Sequence, residues 1–213
     1  MKKEFFAILL LGSSISVAAE KTGSWGDQGD GTYRNPILNA DYPDVDVEQV
    51  GDTYYMISSK QHMSPGMAIL ESKDMVNWES VGHVWDKLDW GPEYNWDRMS
   101  GYSYGVWAGD LAHHDGTWYC YQIDPRHGLI MSSASDIRGP WTKPVIMLPP
   151  SKVFDDPAVF WDDEAHQAYL ICNVGKQRVP GQSTDNYENR IFKMSWDGTR
   201  LLDERRSNSK AIG

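Results

Sequence analysis

Three aspartates, Asp41, Asp44 and Asp46, fall within the nine residues NADYPDVDV (39–47), on a stretch whose valines give it the pattern of a strand. Asp110 stands in VWAGDL, and Asp155 and Asp156 stand side by side in FDDPAVF. Carboxylates far apart in sequence do chemistry together when a fold gathers them. In a shared, partly desolvated site they repel one another and their pKa values separate. One is then held ionised as a base and another protonated as an acid, the division of labour that cleaving a glycosidic bond requires. The plainer reading is that such aspartates form turns and cap strand ends, and Asp110, behind Gly109, fits it better than the catalytic one. Side chains alternate along a strand. Val45 and Val47 are therefore expected toward sheet-to-sheet packing and Asp44 toward the other side, with Asp41 and Asp46 left to strand-edge hydrogen bonding or solvent.

The elements that would gather these acids repeat along the chain. GDTYYMISS (51–59), DGTWYCYQI (115–123) and DEAHQAYLIC (163–172) each set a turn before an aromatic-rich strand. SKDMVNW (72–78) is echoed by SASDIRGPW (133–141), about 60 residues later, and FKMSWDGTRLL (192–202) reads as the end of a third unit. No long helical period competes. The reading is all-β and propeller-like, because a sandwich would not predict the self-similarity. Each unit opens with an acid, Asp44, Asp110 and then Asp155 or Asp156, so equivalent positions would converge on a central funnel. A propeller closes with at least four blades, and fewer than three full units are legible.

Composition narrows the partners. The chain has 213 residues, a formal net charge of −10, 10 Trp and 11 Tyr, and a pI near 5.0. Such a balance lacks the basic footprint that nucleic acid or an anionic membrane needs. Residues 1–19 have the form of a secretory signal, with Lys2 and Lys3, the apolar run Phe5–Leu11, and small residues up to Ala19. The expected location is secreted or periplasmic, with no membrane attachment after cleavage. Residues 20–32 read as a flexible lead-in, 33–204 as the partial propeller, and 205–213 as a tail that fits no strand or turn. Export permits a Cys120–Cys172 disulfide, but two buried thiols fit their apolar surroundings at least as well.

NPILNADYPDVDV followed by GDTYYM, then HMSPGMAILESKDMVNW, GVWAGDLAHHDGTWY and DDPAVFWDDEAHQAYL, resembles glycoside hydrolase family 43, the five-bladed propeller enzymes that trim xylose and arabinose from plant polysaccharides. The likeness runs from about Tyr33 to Glu204 and is nearest the β-xylosidase and α-L-arabinofuranosidase branches. It implies an incomplete propeller of about three blades, here the N-terminal portion. It also implies that Asp44 is the general base and that Asp156, rather than its neighbour Asp155, tunes the acid's pKa and orients substrate. Trp107 would line the sugar subsite, although the motif reads WAGD where the family has Pro, which puts the local turn in question. Phe154, and Trp85 or Trp90, would add apolar platforms, and His62 a hydrogen bond to a sugar hydroxyl. Such enzymes invert anomeric configuration, with base and acid roughly 6.5–9.5 Å apart. No cofactor is implied. Some members hold a central calcium ion, but no ligand set for one is legible.

The general acid that the family places in a later Glu-Gly-Pro segment has no counterpart. Glu188 and Glu204 are the late glutamates, and neither precedes Gly-Pro. The expected function is therefore an exported, inverting, exo-acting glycosidase acting on xylose- or arabinose-containing oligosaccharides, interrupted before its acid and weak or inactive in this form. The alternative is a non-catalytic carbohydrate-binding propeller fragment, and a propeller without a sugar site is the third reading.

Overall fold

In a computed structural model, residues 25–62, 64–95, 103, 105–150, 153–175 and 187–202 are described, the last two segments by backbone alone at 153–154, 175 and 187–188. The expected signal at 1–19, the start of the lead-in, and the tail at 205–213 lie outside these residues. Among the described residues, eleven strands form three antiparallel sheets, each a meander in chain order. The first holds β1 (Asp46–Val50), β2 (Thr53–Ser58), β3 (Gly66–Ser72) and β4 (Trp78–Trp85). The second holds β5 (Gly109–His114), β6 (Thr117–Asp124), β7 (Gly128–Ala134) and β8 (Val145–Leu148). The third holds β9 (Val153–Asp162), β10 (Gln167–Gly175) and β11 (Tyr187–Met194).

The repeats seen in the sequence are the local chemistry of these meanders. In the second sheet His114 pairs with Thr117, and the two residues between them, Asp115 and Gly116, have φ of 48° and 74°. That is the conformation a tight hairpin needs, and Asp-Gly adopts it at low cost. The SKDMVNW echo is a side-chain-bonded turn. Asp74 Oδ1 accepts the N–H groups of Val76 and Asn77, and the Trp78 indole donates to the Met75 carbonyl. Asp136 and Trp141 repeat this arrangement between β7 and β8.

The sheets stack face to face, and the alternation along β6 shows how. Trp118 and Cys120 join Ile57, Ile69, Val84 and Trp85 in one buried seam. Tyr119, Tyr121 and Ile123 point the other way, into a seam with Leu170, Cys172 and Val174. Both cysteines are thus buried free thiols in separate seams. The far face of the first sheet (Met56, Ala68, Leu70) is covered by Leu38 and Tyr42. On the far face of the third, Phe160, Ile171 and Ile191 are 63%, 40% and 68% exposed. This is an incomplete propeller of three blades.

One local expectation fails. Asp44 is not part of the first strand, which starts at Asp46. Its φ of 50° breaks the alternation, so Val45 is 51% exposed while Val47 alone packs against the sheet.

Candidate active site

The segment that carries Asp44 is tied to the far end of β2. The Pro43 carbonyl accepts the Ser58 hydroxyl at 2.7 Å and the Ser59 N–H at 3.2 Å. The Asp44 carboxylate accepts the Ser59 hydroxyl at 2.6 Å and the Gln61 side-chain amide at 3.2 Å. Two donors thus orient a carboxylate that remains open to solvent, which suits a group that must meet a water. Ser59 and Gln61 carried no signal in the sequence, because their partner lies more than a strand away.

Register decides which acids are equivalent, and it corrects the sequence reading. The first strands of the three sheets, β1, β5 and β9, run side by side in the same direction. Asp46 Oδ2 accepts the Leu111 N–H at 2.8 Å, and within the three sheets Asp46, Asp110 and Ala158 pair with Ile57, Tyr121 and Ile171, each at the same distance from the pair that closes its hairpin, Val50–Thr53, His114–Thr117 and Asp162–Gln167. Asp46 and Asp110 therefore occupy the same place in successive blades, with Ala158 third. Two residues earlier stand Asp44, Ala108 and Asp156. Asp110 is not the second blade's counterpart of Asp44: that position holds Ala108, and the acid sits one alternation deeper, inside the seam.

The pairing of Asp44 with Asp156 has a backbone signature. Asp156 has φ of 45°, close to that of Asp44. It sits with Pro157 opposite a single residue of β10, where the register slips between Ile171 and Asn173. A bulge of this kind re-aims a side chain, and Asp156 is exposed. Asp155 is half-buried, and its carboxyl is pushed up by that burial, then by the adjacent Asp156 charge and by Asp44. Asp44 and the Asp155–Asp156 pair, far apart in sequence, therefore share one electrostatic site.

His62 and Trp107 meet through Ser103. The His62 Nδ1 accepts the Ser103 N–H at 3.3 Å, and the Trp107 indole donates to the Ser103 carbonyl at 3.1 Å. Beside them the run into β5 pairs with the loop after β2: Lys60 N–H donates to the Val106 carbonyl, and Gly105 N–H to that of Gln61. Asp44, His62 and Trp107 thus stand along one continuous stretch of backbone pairing. The Gly of the WAGD segment has a reason. A Cβ on Gly109 would lie 2.6 Å from the Tyr121 carbonyl oxygen and 2.9 Å from the Met67 methyl, so no side chain fits there.

The other aromatic candidates divide. Trp85 is buried in the first seam, its indole bonded to the Ser132 hydroxyl at 3.2 Å, and offers no face to a sugar. Trp90 lies against the His127 ring, centroids 4.2 Å apart. The Phe154 and Glu188 side chains and all of Glu204 lie outside the described residues. Among the described residues, no three His, Cys, Asp or Glu side chains are grouped to hold a metal ion.

On the face of β5 that it shares with Tyr121, toward the second seam, burial pushes the Asp110 carboxyl well up, with the Asp46 charge adding to it. Burial likewise raises Asp46 and Glu48 against the backbone N–H groups that they accept. The arrangement as a whole offers an oriented, open carboxylate, a second acidic pair that senses it, and an indole and an imidazole alongside.

A family model described as glycosyl hydrolases family 43 matches residues 33–212. A β-xylosidase of Formosa agariphila is 69% identical over 192 residues, 90% of this chain and 32% of its own length. A non-reducing end α-L-arabinofuranosidase of Bacteroides ovatus is 30% identical, over 67% of this chain and 28% of its own. Among solved structures, a xylan β-1,4-xylosidase from Bacillus halodurans superposes with a TM-score of 0.64 at 27% identity, covering 79% of this chain and 32% of that one. The chain spans about a third of the length of the curated relatives it matches.

Proposed function

We propose that this chain, which belongs to glycosyl hydrolases family 43, forms the first three blades of an exported, inverting, exo-acting glycosidase that releases xylose or arabinose from plant-polysaccharide oligosaccharides. The observation that carries the reading is the equivalence of Asp44 and Asp156, both in left-handed backbone at the same place in their blades. Asp44, oriented by Ser59 and Gln61, takes a proton from a water as that water attacks the anomeric carbon. A carboxylic acid on the opposite side gives its proton to the leaving oxygen. The negative charge of the Asp155–Asp156 pair opposes ionisation of an acid placed nearby and so keeps it protonated. That acid comes from the part of the protein beyond the described residues. The share of the relatives covered supports this, as does the apolar face of the third sheet, which is built to receive another blade. Trp107 and His62 hold the sugar, one by its apolar face and the other by a hydroxyl. Residues 1–19 direct the protein out of the cytoplasm, supported by their charge and apolar pattern.

The test uses the protein extended to the length of its relatives, a β-xyloside, and proton NMR of the first-formed sugar. α-Xylose appearing first is expected, and β-xylose appearing first overturns inversion. Asp44→Asn lowers kcat by about 10²–10⁴-fold. An unchanged kcat removes Asp44 as the base, and tight xylobiose binding without turnover in the parent turns the reading to a carbohydrate-binding module.

A further inference from the structure

A cleft of about 550 Å³ opens on the outer rim between the first and second sheets. One wall is the end of β4 and the run that follows it, 82–90; the other is the turn between β7 and β8, 138–144. β4 is the edge of the first sheet away from β1, and the cleft shares no residue with the surroundings of Asp44. Its walls are fixed to each other's sheets. The Trp85 indole donates to the Ser132 hydroxyl at 3.2 Å, and the Arg138 guanidinium donates to the Glu71 carboxylate at 2.7 Å. Thr142 staples the turn to β7: its N–H donates to the Ser133 carbonyl at 2.8 Å, and its hydroxyl oxygen accepts the Ser133 N–H at 2.9 Å. The cleft is thus preformed, and it falls within the roughly 300–1,000 Å³ of small-ligand sites.

The lining says what kind of ligand fits. Trp90 and Trp141 are half-buried, one on each wall, together with buried Val84, Trp85 and Leu88. Both indoles are held in place: Trp90 lies against the His127 ring, and the Trp141 N–H donates to the Ile137 carbonyl at 3.1 Å. Exposed Lys87 and Lys143 supply donors, and exposed Asp86 and Asp89 supply acceptors. Arg138 is matched by Glu71. Burial, with Lys60 nearby, holds the His83 imidazole below its ordinary pKa and so uncharged at neutrality. Charges in the cleft therefore cancel, in a chain whose net charge is −10, and neither an anion nor a cation is selected. Two indoles beside both donors and acceptors match a neutral ring with an apolar face and a rim of hydroxyls, each of which donates and accepts.

We propose that this cleft is a second, non-catalytic carbohydrate site that binds a neutral oligosaccharide, with Trp90 and Trp141 as ring platforms and Lys87, Lys143, Asp86 and Asp89 on its hydroxyls. The choice of a xylose chain as that sugar rests on the function proposed above; the cleft itself does not. A polymer bound there holds the protein at the polysaccharide surface.

The experiment is NMR on this chain titrated with xylohexaose. The indole N–H signals of Trp90 and Trp141 and the Lys143 amide are expected to shift together on one saturating curve. If they stay still up to the solubility of the sugar, or follow different curves, the cleft site is overturned without any variant having to fold. Trp141 also packs against the first seam, so the variant test falls to the exposed lysines. Lys87→Ala combined with Lys143→Ala is expected to weaken the binding about tenfold, and an unchanged curve overturns the assignment. The Trp107 indole reads the funnel separately. Shifts at Trp107 alone keep the proposed function and remove the cleft site. Shifts at Trp90 and Trp141 alone keep the cleft site and count against Trp107 as a sugar platform.

Discussion

The seam between the first and second sheets and the far face of the third are made of the same kinds of side chain, yet only the seam has a partner. In the seam, Ile57, Ile69 and Ile130 are fully buried between two sheets. On the far face, Ile171 pairs with Ile191 across β10 and β11, and both meet solvent. An antiparallel sheet with one solvated side is expected to alternate apolar with polar. The third sheet does not: Leu170 and Phe192 line its inner face, while Phe160, Ile171 and Ile191 line its outer one. A sheet apolar on both faces is the interior layer of a stack. The difference between the two regions lies in what each touches and not in what it is made of.

Four measurements break or sharpen that comparison. The largest effect is expected in the seam, where Ile69→Ala costs about 2–5 kcal/mol by urea denaturation; a loss below about 1 kcal/mol would mean that the seam is not a packed core. Gly109→Ala, which forces a methyl against the Tyr121 carbonyl, costs about 1–3 kcal/mol in the same assay, and a neutral result would show that the β5–β6 approach can relax. Asp110→Asn gives a smaller, pH-dependent effect. The Asp110 carboxyl is raised in the folded state by burial and then by Asp46, so the folded protein holds its proton more tightly than the unfolded chain does. That contribution to stability is fully present below the unfolded pKa, roughly 3.9, and is lost as pH rises through the raised folded value. The variant should therefore gain on the parent between about pH 4 and neutrality, and parallel stability curves would place Asp110 in water. The smallest effect belongs to the free face, where Ile191→Ala shifts stability by no more than about 0.5 kcal/mol. A cost equal to that of Ile69→Ala would mean the face is already covered, for instance by a second copy.

The sequence made some of this plain and hid the rest for physical reasons. The hairpins were legible because Asp115–Gly116 must take left-handed backbone and few other pairs do so readily. The turns at Asp74 and Asp136 were legible because one aspartate bonds N–H groups only two or three residues ahead. The three-blade order followed from such local signals. Asp44 was singled out by its place in NADYPDVDV and by the family motif, but its conformation was not legible, since one left-handed residue ahead of a strand leaves no mark on a valine–aspartate alternation. Asp110 was aligned with the wrong partner because equivalence across blades is set by which N–H lies across the gap, a contact between residues 65 apart for Asp46 and Leu111. Asp46 and Glu48, acids two apart on a half-buried strand, were the one available hint. His62, Ser103 and Trp107 were beyond reach as a group, since nothing local to any of them names the others.

The Asp115–Gly116 turn joins β5 to β6 at the end opposite Trp107, so the strand β5 has one end at the proposed sugar platform and the other at a two-residue surface hairpin. Exposed loop tips are where inserted sequence is best tolerated. This turn is accordingly the place to graft a tether for immobilising the protein on a solid support, with the proposed site around Asp44 and Trp107 facing away from the surface and open to solution.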